Sequence, residues 1–249
     1  MKQGYLEQEA GRLNEATKKT LFRAVAAYIC LIALLYFLMK DSIDLSDPSG
    51  RQVVVYAAIL TGVMAAAVVV RLLKSRRTGA NGGNLVLPYE EDTKEAVSAI
   101  IDREASEGKI LVEEYIDRFE GGKKPCGERV VLTPSYLLLF SGGTRITAIP
   151  RDKIYWICAQ VGHKGGSFRV QLLVFTEKKL YRMVGVDIEH VQNIAAQIDR
   201  YIPNVFSNYD PFVLSYELEK LFDKNRAEFF AFYENERKKA AGRSNSAER

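Results

Sequence analysis

The thiols and imidazoles of this chain, the side chains most often used as nucleophiles, bases and metal ligands near neutral pH, are Cys30, Cys126, Cys158, His163 and His190. A thiol becomes a nucleophile only when a base is positioned beside it. His163 lies in a turn five residues past Cys158, an odd offset if the strand reading is carried on, so the two are not set up as a pair. His190 opens an amphipathic segment and reads as a solvated first-turn residue. With two histidines in different contexts and no Cys-x-x-Cys pair, the sequence offers no metal cluster. Nucleotide-binding loops, nucleophile elbows and zinc-helix motifs are also missing, so the expectation is a protein without catalytic, metal or cofactor residues. The cysteine usage suits a reducing compartment.

A second set is cationic. Lys123 and Lys124 share one inter-strand loop, Lys164 sits in another, and Lys178 and Lys179 in a third. Together they form a candidate set for an anionic lipid headgroup, each worth about 1 kcal/mol near an anionic leaflet. A third set is small: Ala58, Gly62 and Ala66 recur every four residues, a spacing that lets helix backbones approach closely. It marks a transmembrane packing face, against the first apolar run or against a second copy.

The elements that must carry these residues differ along the chain. Its 249 residues hold 35 basic and 31 acidic side chains, a net charge of +4 that is too small to argue for nucleic acid. Two apolar runs stand near the start, Leu21–Met39 and Val53–Val70. About 18 helical residues reach roughly 27 Å, close to the thickness of a bilayer core. Neither run has a polar face, so the sequence predicts a two-helix transmembrane hairpin with spans at about 21–39 and 53–70. Lys2, Arg12, Lys18, Lys19 and Arg23 precede it and Arg71, Lys74, Arg76 and Arg77 follow it. That bias predicts a multi-pass cell-membrane protein with both termini cytoplasmic and the lipid bilayer as a partner.

Residues 78–108 read as a Gly/Asn-rich linker followed by a short helix that stops at Gly108. From 109 the period becomes two. Seven strand segments follow: Lys109–Asp117, Glu128–Thr133, Ser135–Phe140, Thr144–Ile149, Lys153–Val161, Ser167–Phe175 and Lys179–Val186. The stretch VLTPSYLLLF (131–140) is too short to span a bilayer, and Pro134 breaks it into two strands. Its apolar residues occupy both faces, which calls for cover on both sides. Asp187 then caps a helix whose stripe is Ile188, Val191, Ile194, Ala195, Ile198 and Ile202.

The run ERVVLTPSYLLLF, then TRITAIPRDKIYWI, then an alternating strand and a closing helix, resembles a bacterial pleckstrin-homology-like domain. Ile149, Pro150, Lys153 and Ile154 carry its "IP..KI" tag. The whole layout is similar to two-span membrane-protein families of unknown function in anaerobic, Gram-positive-type bacteria. The resemblance covers roughly 109–202. It implies a seven-stranded antiparallel barrel or sandwich capped by a C-terminal helix, and no particular activity.

Residues 203–249 form a helical tail. Asp210 and Pro211 open it, Asn225 interrupts it, and Phe229, Phe230, Phe232 and Tyr233 are too many for one narrow face. They either pack on the strand domain or meet a partner beside Arg237, Lys238 and Lys239. The expectation is therefore a membrane-anchored, non-catalytic protein whose cytoplasmic domain and tail bind a protein partner. An anionic-lipid sensor, or a small oligomeric transport or channel component working as a homo-oligomer, are the alternatives.

Overall fold

The computed structural model describes residues 4–39, 48–77, 85–89, 93–118, 127–141, 145–164, 167–202 and 211–247. It begins with two long helices, α1 (Tyr5–Met39) and α2 (Pro48–Arg77). Among the described residues, no helix is long and apolar enough to cross a membrane. This corrects the expected two-span hairpin, and with it the cell-membrane location and the cytoplasmic placement of both termini. Each apolar run is only part of a longer helix. In α1 it follows Glu7, Glu9, Arg12, Glu15, Lys18 and Lys19, and the first turns of that helix belong to the folded body, where Leu6 and Glu9 are buried.

Among the described residues the body has eight strands and four further helices. In chain order these are β1 (Leu85–Val86), α3 (Lys94–Ser106), β2 (Val112–Tyr115), β3 (Arg129–Leu132), β4 (Tyr136–Ser141) and β5 (Arg145–Pro150). Then come β6 (Ile154–Lys164), β7 (Ser167–Thr176), β8 (Leu180–Val184), α4 (Ile188–Asp199), α5 (Pro211–Lys224) and α6 (Arg226–Ala247). The seven-stranded barrel is also corrected. The described residues form two sheets, a five-stranded mixed one ordered β1-β5-β4-β3-β2 and a three-stranded antiparallel one ordered β6-β7-β8. Two local causes account for the difference. Leu85 and Val86, in what reads as linker, add to β5 in parallel opposite Ile146 and Thr147. Pro150, which has no amide proton to donate, ends β5, and the 3-10 turn Arg151–Lys153 carries the chain into the second sheet at Ile154. The "IP..KI" residues are this crossover.

Local chemistry sets the helix ends. The Thr93 hydroxyl accepts from the Ala96 amide at 3.3 Å and starts α3. Gly108, at φ 71°, ends it; the Lys109 amide donates to the Glu104 carbonyl at 2.9 Å and the Gly108 amide to the Ala105 carbonyl at 3.1 Å, a Schellman closure. The Asp187 carboxylate accepts from the amides of Glu189 and His190 and starts α4.

The strands are apolar on both faces because both faces of both sheets are covered. Leu137 and Leu139 of β4 point into the interior, where they meet Ile157 and Ala159 of β6, Leu172 and Val174 of β7, and the Val191–Ile198 face of α4. Tyr136, Leu138 and Phe140 point outward and lie under Val97 and Ile101 of α3 and Leu6 of α1. On the second sheet, Trp156, Cys158, Leu173 and Phe175 point outward and lie under Leu218 and Phe222 of α5 and Phe229 and Tyr233 of α6. The tail aromatics are therefore core residues. The Phe175 and Phe229 rings stack at 5.4 Å, and Phe222 meets Phe229 edge-on at 5.0 Å. The result is five layers: helix, sheet, an interior closed by α4, sheet, helix pair.

Candidate functional site

The nucleophile and base candidates are not assembled into a catalytic pair. Cys158 is buried on the outward face of β6 under α5 and α6, and burial pushes its thiol well above the ordinary range, with Asp199 and Glu219 adding to the effect. His163 lies in the same strand with its side chain outside the described set, and Cys126 lies outside the described residues altogether. Cys30 is exposed on α1. His190 is not the solvated residue its position suggests. Its Nε2–H donates to the Tyr115 carbonyl at 2.6 Å, bolting the first turn of α4 to the end of β2. Among the described residues no three His, Cys, Asp or Glu side chains are grouped to hold a metal.

The predicted cationic set is not one patch. Lys123 and Lys124 lie outside the described residues, and Lys164 ends β6 with its side chain outside them. Lys178 and Lys179 form the β7–β8 turn, at the other end of the ten-residue β7, about 30 Å from the β6–β7 end. What the fold does bring together at the Lys178 end is different. The Lys178 ammonium stands 4.9 Å from the centre of the Tyr89 ring, and the Lys153 ammonium stands 5.8 Å from the same ring. Lys179 caps the Tyr181 ring at 5.0 Å. Burial first, and the neighbouring Tyr89 second, push the Tyr181 phenol up to about 12.

Beside Tyr89 is a cavity of about 410 Å3 between α3, the Pro134–Ser135 turn and the β5–β6 crossover, with Arg151, Asp152 and Lys153 on its rim. The Ser135 hydroxyl is committed to the Glu104 carboxylate at 2.5 Å, and the Arg151 amide to the Ser135 carbonyl at 2.9 Å, so turn and crossover are tied together. Lys153 pairs with Glu177 at 2.9 Å, a partly exposed pair. The Arg226 guanidinium, at the start of α6, donates to the Lys178 carbonyl at 2.6 Å and holds the turn in place. Tyr89 itself is 4 % exposed, and its hydroxyl is buried without a hydrogen-bond partner among the described residues. Sequence reasoning passed over Tyr89 and Arg151. They come from segments some sixty residues apart, and no spacing rule links them.

The helix pair α1–α2 offers a second surface. The two helices touch through Tyr28 and Thr61, whose hydroxyl oxygens are 3.1 Å apart. Two members of the small-residue stripe do not serve this contact. Gly62 and Ala66 are exposed, a Cβ added at Gly62 would meet nothing within 4 Å, and the Ala58 side chain lies outside the described set. Large apolar side chains stand in the open on both helices, among them Phe22 at 75 %, Phe37 at 70 %, Tyr56 at 68 % and Val63 at 61 % exposure. On α2, Val55, Ile59 and Val63 recur every four residues with Tyr56 and Leu60 beside them, a broad stripe facing away from Thr61.

Compared with known protein families, with curated proteins and with solved structures, the chain matches none.

Proposed function

We propose that this chain is a non-catalytic interaction protein that docks a protein partner, its own copies included, on the exposed apolar face of α1 and α2. The observation that carries the reading is the row Val55, Tyr56, Ile59, Leu60 and Val63, all more than half exposed. Soluble monomers rarely leave a contiguous apolar patch of this kind bare, and such patches mark interaction surfaces. The tail is a poorer candidate for recruitment than its composition suggests, because Phe222, Phe229 and Tyr233 are spent on the second sheet.

The test compares the full-length chain with an Ile59→Glu/Val63→Glu variant, both isolated from the same cells, by the mass of their native complexes. Both positions are exposed, so the variant leaves the body intact, which its thermal melt verifies. A heavier complex that the variant loses supports the reading. Equal masses for the two proteins, with the body folded in both, sink it.

A further inference from the structure

The Tyr89 cavity belongs to none of the roles above, and its chemistry is specific. Arg151 and Lys153 of the β5–β6 crossover line it, and a third cation, Lys178 of the β7–β8 turn, stands against the Tyr89 ring that forms part of its wall. Two of them converge on one aromatic ring. That ring carries a buried hydroxyl with no partner among the described residues, and leaving such a donor unpaired is costly unless a ligand takes it up. Of the acids among the described residues, Asp152 is exposed, Glu104 is occupied by Ser135, and Glu177 pairs with Lys153 in a partly exposed pair, a kind that exchanges readily for a better anion. The remaining wall is apolar, made by Ile100, Pro134 and Pro150, and the volume of about 410 Å3 exceeds what a bare inorganic ion fills.

We propose that this cavity binds a phosphate monoester, with Arg151, Lys153 and Lys178 holding the phosphate oxygens and the organic part of the ester lying against Ile100, Pro134 and Pro150. A phosphate monoester supplies close to two negative charges and three acceptor oxygens, matching three cations better than a single carboxylate does. Tyr89 contributes a neutral hydroxyl donor and the aromatic face over which Lys153 and Lys178 are held. Arg226 is a positioning residue, acting on Lys178 through the carbonyl of the turn. The site is independent of the α1–α2 surface.

The phosphate can come from a soluble ester or from a lipid headgroup, and the experiment separates the two. The full-length chain is titrated calorimetrically with glycerol 3-phosphate, and sedimented with phosphatidylcholine vesicles with and without phosphatidic acid. The variants are Lys178→Glu, at an exposed turn position, and Tyr89→Phe, which removes only the hydroxyl. Binding of glycerol 3-phosphate that falls about tenfold or more in Lys178→Glu, and measurably in Tyr89→Phe with an unlowered melting temperature, supports a soluble ligand. Sedimentation that requires phosphatidic acid and is lost in Lys178→Glu supports a lipid headgroup. Binding of neither probe, or equal binding by wild type and Lys178→Glu, overturns the proposal.

Discussion

Arg129 of β3 and Glu9 of α1, 120 residues apart in sequence, form an ion pair whose two side chains are each only 6 % exposed. It clamps the first turns of α1 to the outer face of the first sheet. Arg129 also donates to Glu113 at 2.6 Å and stacks on Phe140 at 4.2 Å, while the Asp102 carboxylate accepts from the Leu6 amide at 2.9 Å. Removing one member of a buried pair costs about 3–5 kcal/mol when the other charge is left unpaired. Arg129→Ala leaves Glu9 with Arg12, 2.7 Å away on the same helix, so its cost in urea unfolding is expected at the lower end, about 3 kcal/mol. Glu9→Gln costs less, because the amide oxygen still accepts from Arg129 and Glu113 still balances it. Equal losses for the two variants would contradict this account.

That clamp shows where sequence reading stops. Strands β2 to β8 and helices α3 and α4 overlap segments picked out by period and caps, because strand alternation and helix stripes are local patterns. The two-sided apolar character of Tyr136–Phe140 correctly demanded cover on both faces, yet nothing local named the cover. Glu9 and Arg129 look like ordinary solvated charges until α1 folds back over the sheet. Strand β1 is only two residues long, set in a Gly/Asn-rich stretch, and its pairing with β5 is settled by tertiary contact. The apolar runs of α1 and α2, read by composition alone, suggested membrane spans. The same runs sit in longer helices that begin or end among charges, and α1 starts inside the body. The Tyr89 cavity is the least legible feature, since four separated segments build it and none carries a motif.

The two described cysteines should separate cleanly in reactivity. Cys30 is exposed, whereas Cys158 is buried with its thiol pushed well above the ordinary range. Reactivity follows the exposed thiolate fraction. In a Cys126→Ser background, one thiol is expected to react promptly with a disulfide reagent in native buffer and the second only on unfolding. Prompt reaction of a Cys30→Ser/Cys126→Ser protein would show that α5 and α6 do not cover β6 as described.

Among the contacts that attach the tail are two buried rings and the carboxylates of Glu219 and Asp223, which both meet Arg182 of β8. Phe222 and Phe229 are fully buried, and Glu219 accepts from Gln160 of β6 at 2.6 Å and from Arg182 of β8 at 2.9 Å. Truncating a buried Phe to Ala costs about 3–5 kcal/mol. Phe229→Ala is expected to release α6 before the body unfolds, because Asn225 breaks the helix between the two rings. Limited proteolysis should then cut between α5 and α6 while the strands stay protected. A single cooperative loss of all protection would instead make the tail part of the same folding unit as the sheets.

Asp199 closes α4, and burial alone raises its carboxyl from the ordinary 3.8 to about 7. The sign of its contribution follows from linkage. Below the unfolded-state value the carboxyl is protonated in both states and costs the fold nothing. As pH rises between the two values the unfolded chain ionises first, so the stability this group leaves intact in acid is progressively lost. Above about 7 it is ionised in both states and the loss is constant, of the order of a few kcal/mol. Asp199→Asn keeps the shape and removes the ionisation. Its unfolding free energy is expected to exceed wild type by a margin that is small near about pH 4, grows through neutrality and levels off by about pH 8. Urea titrations of both proteins across that range decide the matter: a margin that stays flat, or shrinks as pH rises, would mean that the carboxylate finds compensating donors when it ionises in the fold.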